Sequence, residues 1–487
     1  MIIKIKIALQ ANQTPSKILS LNIVMKHVLT KIVLMALLCV THLQAQNLEG
    51  KWSGILSIQK TKLTIVFNVR DTNTGYSATM DSPDQGAFGI PVTSTNFLNP
   101  QVVFFIQSAN IVYKGDLSGD SIVGRFKQTG IELPLTLYRS KDAVESSNSR
   151  PQEPDLSHPE KLPYIQEAVT FSNTAANVQL SGTLTIPKKG NNFPAVILIS
   201  GSGAQDRNEE LMGHKPFMVI ADYFSRNGIA VLRYDDRGYA FSTGDYDTST
   251  IADFTEDARA ALTYLKSRTD IKSVGLIGHS EGSAVAAKLA ANNKDVAFII
   301  SLAGPGLRGD SLLLMQARSM LLSLNMTKEM GPALAQNRGL FRIINLNKSP
   351  KETEQLMREF LNTIPSPQPE GPTSKEEYID NIVKMVNEPG LVYFIRHNPA
   401  DDFSKVHCPV LALNGEKDFQ VDAKVNIEAI AAALKIAGNK DVTTQIFPGK
   451  NHLFQACTTC TIQEYGQLKE TFSEEVLGMM LEWMRDQ

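Results

Sequence analysis

The chain has 487 residues, more than a single domain usually holds. Hydrophobic residues make up 43% and charged residues 20%, which is ordinary for a globular protein. The formal net charge is -2 and no long basic block occurs, so the composition does not support a nucleic-acid partner.

Residues 1–45 have the layout of a secretory signal. Two lysines precede a short apolar run at 32–40, and Ala45 offers a small residue suited to cleavage. The run is shorter than the roughly 20 residues that a membrane-spanning helix needs. We therefore expect a secreted or periplasmic protein without a stable membrane span after cleavage, and we expect Met25 to be the true translation start.

Residues 47–140 are typical of a small antiparallel all-β domain. Short strand-like segments alternate with turn-forming residues such as those at 71–75. This pattern predicts a barrel or sandwich of about 90 residues, without a catalytic constellation. Trp52 is expected in its core, with ligand stacking as the alternative. Residues 141–163 are rich in Ser, Pro, Glu and Asp and predict a linker.

Residues 164–487 begin with a predicted β-hairpin and continue as alternating strands and helices. Such alternation predicts an α/β fold with a doubly wound, mostly parallel sheet. After the hairpin segments at 167–171 and 179–186, strands are predicted at 195–199, 230–234, 274–277, 297–302, 410–413 and 443–447, and helices at 217–226 and 254–266.

The alternation stops between about 306 and 402, in a helical stretch rich in Met and Leu. An insertion between sheet strands predicts a cap over the strand ends, where α/β folds place ligand sites. An ordinary helical insert on the surface is the alternative.

Ser280 lies in Gly278-His-Ser-Glu-Gly282, a Gly-x-Ser-x-Gly nucleophile elbow. A short apolar strand precedes the pentapeptide, and the alanine-rich segment 283–291 follows as a predicted helix. Strand, tight turn and helix are the context that the motif requires, and glycine tolerates the strained turn. Ser280 is therefore the predicted nucleophile.

A serine nucleophile needs a base, and histidine suits this role because it titrates near neutral pH. In proteins with a Gly-x-Ser-x-Gly elbow, the serine comes first along the chain, then the acid, then the histidine. Of the histidines downstream of Ser280, His397 falls in the insertion. His407 lies at the amino-terminal end of a predicted strand, whereas the site is expected at the carboxyl ends of the strands. His452 follows the last predicted strand in a glycine-containing loop and is the predicted base.

The acid that orients the histidine is expected in the loop after the strand at 410–413. Asp418 is the predicted residue, Glu416 is the second candidate in the same loop, and Asp310 is a distant third.

An oxyanion forms during acyl transfer and needs hydrogen-bond donors. One predicted donor is the backbone N–H of Glu281, directly after the nucleophile. The other is the backbone N–H of Ser202, in the turn Ser200-Gly-Ser-Gly203 that follows the strand at 195–199. The run Asp236-Arg-Gly238 is predicted to hold loops together by an ion pair.

Cys457 and Cys460 are placed either for a local disulfide or for two free thiols, and both alternatives stay open. A second Cys-x-x-Cys pair is absent from the sequence, so no metal site is predicted. No cofactor is expected.

These motifs resemble the α/β-hydrolase superfamily over roughly residues 164–487. Within it the chain is most similar to bacterial esterases and serine-aminopeptidase-like hydrolases with a Gly-Ser-Gly-x-Gln-Asp-Arg turn, here at 201–207. The resemblance implies a Ser280, Asp418 and His452 triad and carboxylesterase activity on small-molecule esters. Many lipases carry histidine where this turn begins with serine, so the resemblance does not favour a lipase.

Two other functions are alternatives to the esterase. One is cleavage of peptides or amides, for which Glu376 or Glu377 in the cap could anchor a peptide terminus. The other is a binding protein with an inert hydrolase domain. The sequence predicts neither the role of the β domain nor the oligomeric state.

Overall fold

The computed structural model describes residues 47–58, 61–72, 75–82, 87–106, 111–128, 131–140, 151–323, 326–364 and 374–487. The predicted signal and residues 141–150 of the predicted linker lie outside the described residues. No helix within the described ranges is long and apolar enough to cross a membrane.

The amino-terminal region forms one nine-stranded antiparallel sheet with the order β4-β3-β2-β1-β9-β8-β7-β6-β5. Its strands are β1 (Gly50–Ile58), β2 (Thr61–Thr72), β3 (Gly75–Ser82), β4 (Ala87–Pro91), β5 (Ser94–Leu98), β6 (Gln101–Ile106), β7 (Ile111–Ser118), β8 (Ser121–Gln128) and β9 (Ile131–Arg139).

The two ends of this sheet approach each other, so the structure is a nearly closed barrel rather than a sandwich. The rings of Tyr76 on β3 and Phe97 on β5 lie 5.9 Å apart, although these strands belong to opposite ends of the sheet order. Trp52 is 0% exposed, and its indole N–H donates to the Leu48 carbonyl at 2.8 Å. Trp52 is thus a core residue, as predicted.

A second, eight-stranded sheet has the order β10-β11-β13-β12-β14-β15-β16-β17. The hairpin β10–β11 is antiparallel and joins β13, and the strands from β13 to β17 run parallel. The strands are β10 (Tyr164–Asn173), β11 (Val178–Pro187), β12 (Phe193–Ile199), β13 (Ala230–Tyr234), β14 (Ile271–His279), β15 (Ile299–Leu302), β16 (Val410–Gly415) and β17 (Val442–Phe447).

Helices cover both faces of this sheet, which explains why its strands are continuously apolar. In β12, Ala195, Ile197 and Ile199 pack into one hydrophobic cluster, whereas Val196 and Leu198 pack into another. The helices outside the insertion are α1 (Pro216–Arg226), α2 (Ile251–Lys266), α3 (Glu281–Ala290), α10 (Ala423–Ile436), α11 (Ile462–Tyr465) and α12 (Glu474–Arg485).

The predicted helical insertion between β15 and β16 is present and has its own apolar core, which includes Leu340, Met357 and Ile395. Its helices are α4 (Gly309–Ser323), α5 (Thr327–Ile344), α6 (Pro350–Thr363), α7 (Lys375–Val386), α8 (Pro389–Arg396) and α9 (Pro399–Phe403). We call this insertion the cap.

Helix α2 begins at Ile251, three residues before the predicted start. The side chain of Asp253 accepts hydrogen bonds from the Thr250 backbone N–H at 2.9 Å and from its hydroxyl at 2.7 Å. This capping satisfies donors at the helix start, and Ile251 lies on the buried face of the helix with Ala258 and Leu262.

Candidate active site

Ser280 sits on a strained turn between β14 and α3, with a backbone φ of 51°. A Cβ on Gly278 would lie 2.2 Å from the Gly282 carbonyl oxygen, and one on Gly282 would lie 2.2 Å from that of Ile199. Both glycines are therefore needed for the helix to pass this close to the strands. The Ser280 N–H donates to the Leu302 carbonyl at 2.8 Å, which fixes the turn against β15.

His452 and Asp418 form a buried hydrogen bond beyond the ends of β17 and β16. The distance from His452 Nδ1 to Asp418 Oδ2 is 2.7 Å. The other carboxylate oxygen of Asp418 accepts from the backbone N–H groups of Gln420 at 2.8 Å and Val421 at 2.9 Å. These bonds fix the carboxylate, so that it can orient the imidazole ring.

Gly415 allows the loops of the acid and the histidine to approach each other closely. A Cβ at this position would lie 2.4 Å from the Lys450 carbonyl oxygen and 2.5 Å from that of Asn451. Any side chain there would push the two loops apart and lengthen the contact between Asp418 and His452.

The structure brings His452 to the elbow without a hydrogen bond to the serine. The His452 carbonyl oxygen lies 3.1 Å from Nε2 of His279, the residue before Ser280, and the two imidazole rings are 4.8 Å apart. Ser280 Oγ has no hydrogen-bond partner within the part of the chain that the structure describes. Catalytic hydrogen bonds of this kind commonly tighten only when substrate binds.

The other candidate acids and histidines from the sequence are engaged elsewhere. Glu416 is exposed, and its carboxylate accepts from the Gly449 N–H at 3.1 Å. Asp310 lies at the start of α4 and accepts from the Asn345 side chain at 2.9 Å. In the cap, His397 Nε2 pairs with Asp402 at 2.7 Å.

The turn after β12 lies beside the nucleophile. A Cβ built on Gly201 would be 3.2 Å from the Cβ of Ser280. The Gly201 N–H donates to Glu209 and the Gly203 N–H to the Tyr246 hydroxyl, both at 2.8 Å. The Ser202 N–H has no acceptor among the described residues, so it is available to a ligand.

The Glu281 N–H lies at the first position of α3, where backbone donors have no partner within the helix. Ser202, Ser280 and Glu281 all line one cavity. The residues of the two predicted oxyanion donors and the predicted nucleophile therefore border the same cavity.

Asp236, which follows β13, stabilises the same turn through hydrogen bonds. Its carboxylate accepts from the Ser200 hydroxyl at 2.6 Å and from the Gln205 N–H at 2.9 Å. Burial raises the pKa of Asp236 to about 8, although both hydrogen bonds act in the opposite direction. The predicted ion pair of this segment forms between Arg237 and Asp257, with a closest distance of 2.6 Å.

The cavity has a volume of about 360 Å³ and lies between the sheet and the cap. Apolar side chains form much of its wall, and its charged lining residues are all acidic: Asp247, Glu281 and Glu388. Burial raises the pKa of Glu281 to about 7. Residues of the wall include Ile251, Phe254, Pro305, Leu312, Leu313, Leu391, Phe394 and Val421.

Glu376 and Glu377, the cap acids considered for anchoring a peptide terminus, do not line this cavity. They are exposed residues in the first turn of α7. Conversely, the sequence analysis missed Glu209 and Tyr246, which hold the turn beside Ser280. The one available signal for Glu209 was its position two residues after the Gly-Ser-Gly-x-Gln-Asp-Arg run.

Cys457 and Cys460, whose state the sequence left open, are joined by a disulfide. Cys408 is free, and burial raises the pKa of its thiol to about 11. The residues that the structure describes contain no group of three or more His, Cys, Asp or Glu side chains placed to hold a metal ion.

Residues 215–359 match the serine aminopeptidase S33 family, Hydrolase_4. This stretch contains Ser280 and ends before Asp418 and His452. The chain is also 26% identical over 294 residues to the esterase EstD of Thermotoga maritima, a match that covers 60% of this chain and 62% of that protein. The chain thus spans less than two thirds of the length of this curated relative.

Solved structures with 18% identity to the chain include two hydrolases. An esterase from Pyrococcus furiosus has a TM-score of 0.41, with 67% of this chain and 93% of the other covered. A proline iminopeptidase from Mycobacterium smegmatis has a TM-score of 0.40, with 66% and 98% covered. Together with the family match over residues 215–359, the sheet order and the elbow geometry lead to one conclusion: the carboxy-terminal domain of this chain has the α/β-hydrolase fold.

Proposed function

We propose that the protein is a serine hydrolase that cleaves small carboxylic esters through an acyl-enzyme on Ser280. The observation that carries the proposal is the buried hydrogen bond of 2.7 Å between His452 and Asp418, beside a strained serine elbow. A histidine held by a carboxylate can accept the serine proton and carry the resulting charge. Similarity to the Thermotoga esterase supports the ester substrate.

In the proposed reaction, Ser280 Oγ attacks the ester carbonyl carbon while His452 Nε2 takes the serine proton. Asp418 accepts from Nδ1–H and stabilises the imidazolium. The N–H groups of Ser202 and Glu281 donate to the oxyanion of the tetrahedral intermediate. His452 then gives its proton to the departing alcohol, leaving the acyl-enzyme. Water, deprotonated by His452, attacks the acyl carbon and releases the carboxylic acid and Ser280.

The cavity sets the substrate class in this proposal. Its volume of about 360 Å³ and its apolar wall from α4 and α8 suit a small acyl or aryl group better than a long lipid chain. Leu312 and Leu313 come from α4, and Leu391 and Phe394 come from α8, so the cap determines which acyl groups fit.

Amide cleavage next to a free amino group is the second candidate, and one observation favours it. All charged side chains that line the cavity are carboxyl groups, those of Asp247, Glu281 and Glu388. Negative charge at a pocket raises the local concentration of cations such as a protonated amine. An aminoacyl amide would present this group.

A substrate panel separates the two candidates. We expect hydrolysis of p-nitrophenyl acetate and butyrate, with little turnover of aminoacyl p-nitroanilides, and we expect Ser280→Ala to abolish it. Ser273→Ala is the matched control, because Ser273 lies at the opposite end of β14. Faster turnover of the anilides would favour the second candidate, and no turnover of either class would contradict both.

We also propose that the protein is exported, as the signal pattern of residues 1–45 predicts. The disulfide between Cys457 and Cys460 supports this proposal, because disulfides persist mainly in oxidising compartments. Mass spectrometry of the protein from the periplasm or medium tests it. A mature amino terminus near Gln46 is expected, and an intact Met1 or Met25 in the cytoplasm would contradict it.

A further inference from the structure

Glu209 and His279 form a buried acid–histidine pair next to the proposed triad. His279 Nδ1 lies 2.8 Å from Glu209 Oε1, and the two residues are 6% and 4% exposed. Neither has a chemical role in the acyl-transfer steps. A buried charge pair is costly unless its hydrogen bonds are fulfilled, so its partners indicate what it does.

The pair connects the three segments that carry the acyl-transfer groups. The same Glu209 oxygen also accepts from the Gly201 N–H at 2.8 Å, in the turn that bears Ser202. His279 is the residue before Ser280, and its Nε2 lies 3.1 Å from the His452 carbonyl oxygen. The oxyanion turn, the elbow and the histidine loop thus meet at these two side chains.

The contacts of the His279 ring define its protonation. Nδ1 faces a carboxylate and Nε2 faces a carbonyl oxygen, and both of these groups only accept hydrogen bonds. Both ring nitrogens must therefore carry hydrogen, which makes the ring an imidazolium. Burial by itself lowers the pKa of His279, but the charge and hydrogen bond of Glu209 outweigh it, so the pKa is raised.

We propose that Glu209 and His279 are a positioning pair that holds the oxyanion turn and the catalytic histidine in register with Ser280. This inference rests on the acyl-transfer function proposed above. Glu209 fixes the turn through Gly201, and the His279 imidazolium fixes His452 through its backbone carbonyl. Neither residue exchanges a proton with the substrate.

The pair also places a fixed charge beside the proposed base. The His279 ring is 4.8 Å from the His452 ring, and Glu209 binds the far nitrogen of His279. The positive charge of His279 therefore lies beside the ring that takes up the serine proton in the proposed reaction, and like charges repel. The titratable groups around this pair are Asp236, Glu281, Asp418, His452 and, behind Asp418, Tyr465.

The pH dependence of kcat/KM tests the pair. In Glu209→Gln the amide oxygen can still accept from Gly201, but His279 loses its counter-ion and becomes neutral. We expect kcat to fall about 10-fold with KM little changed, and the acid limb of kcat/KM to move up by about half a pH unit or more. His279→Gln should move the limb in the same direction, because it removes the cation and leaves the carboxylate.

Glu209→Asp keeps the charge and should restore the acid limb to its wild-type position even where kcat stays low. Glu210→Gln is the matched control, since Glu210 is an exposed neighbour in the same loop, and it should behave like the wild type. If kcat falls in Glu209→Gln and His279→Gln but the acid limb of the kcat/KM profile does not move, the pair only supports the fold. That result would overturn the proposal.

A measurement on the wild type keeps the inference testable if these variants fail to fold. Imidazole 15N NMR of the folded wild-type protein at pH 7 should show both nitrogens of His279 protonated. A neutral, single-tautomer ring would overturn the proposal. This result is independent of esterase activity, so failure of the pair and failure of the proposed function can be told apart.

Discussion

Among the residues of the site, Asp418 has the hydrogen bonds that most directly support a role in proton transfer. One of its oxygens accepts from His452, and the other accepts from two backbone N–H groups. Such an arrangement leaves the carboxylate little freedom to rotate. In the proposed reaction, this arrangement holds the imidazole so that Nδ1–H donates to Asp418 and Nε2 accepts the serine proton.

Asp418→Asn should therefore lower kcat for ester hydrolysis by about 10³ to 10⁴, because an amide can donate to Nδ1 and stabilise the wrong tautomer. Steady-state kinetics on p-nitrophenyl acetate measures the effect. Glu416→Gln is the comparison within the same loop, and it should change kcat by less than about 5-fold. Similar losses in both variants would contradict the assignment of the acid.

The order of the residues and strands along the chain predicted more of this site than any short sequence motif did. Ser280 stands in a recognisable pentapeptide, and His452 and Asp418 are predictable because they follow the last two strands of a parallel sheet. Glu209 could not be predicted in the same way. Its contacts with Gly201 and His279 depend on how a loop folds back, and no spacing rule describes that path.

The elbow is an element in which backbone packing sets the geometry. Helix α3 lies so close to β14 and β12 that the carbonyl oxygens of Gly282 and Ile199 occupy the space where a Cβ would stand on Gly278 and on Gly282. The positive φ of Ser280 costs about 1 to 3 kcal/mol, and it persists because the surrounding strands hold the turn.

Gly282→Ala should destabilise the domain by about 3 kcal/mol or more, because its Cβ would lie 2.2 Å from the Ile199 carbonyl oxygen. Urea unfolding of the purified variant measures the change. Gly331→Ala is the control, since a Cβ there meets no atom within 4 Å, and it should be neutral or stabilising by about 0.5 kcal/mol. An equally mild effect at Gly282 would contradict this account of the elbow.

Apolar periodicity predicted the type and order of the elements in the second domain. The parallel strands are buried on both faces, so their sequences are unbroken apolar runs. The predicted start of α2 was three residues late, because the Thr250 and Asp253 cap that begins the helix is a polar signal and not part of an apolar period. The closure of the β domain could not be predicted either, because the alternation of residues along a strand does not encode how far a sheet curves.

At the scale of the whole molecule, buried carboxyl groups link stability to pH. Burial raises the pKa of Glu281 from 4.5 to about 7 and that of Asp236 from 3.8 to about 8. The unfolded chain releases these protons at lower pH than the folded chain does. The folded state therefore binds more protons between about pH 4 and 8, and its stability falls as pH rises through this window.

Glu281→Gln should reduce that loss of stability, because the uncharged amide does not titrate. We expect the fall in Tm between pH 5 and pH 8 to be about 2 °C smaller than in the wild type, as measured by differential scanning calorimetry. Glu256→Gln, at an exposed site paired with Arg259, should keep the wild-type pH dependence. A change in the opposite direction for Glu281→Gln would contradict the raised pKa.

The two sheets have separate hydrophobic cores, one built around Trp52 and the other around β12 and its neighbours. A fragment of residues 151–487 should therefore fold cooperatively and retain most of the ester-hydrolysing activity. Circular dichroism during thermal unfolding and kinetics on p-nitrophenyl acetate check this expectation. An insoluble or inactive fragment would show that the hydrolase domain requires the β domain.

The central claim is that Ser280 forms the acyl-enzyme, and covalent labelling tests it most directly. A fluorophosphonate probe should modify the folded protein once, and peptide mass spectrometry should place the adduct on Ser280. Ser280→Ala should lose the label, and Ser273→Ala should retain it. Labelling at another serine, or no labelling of the folded protein, would contradict the account.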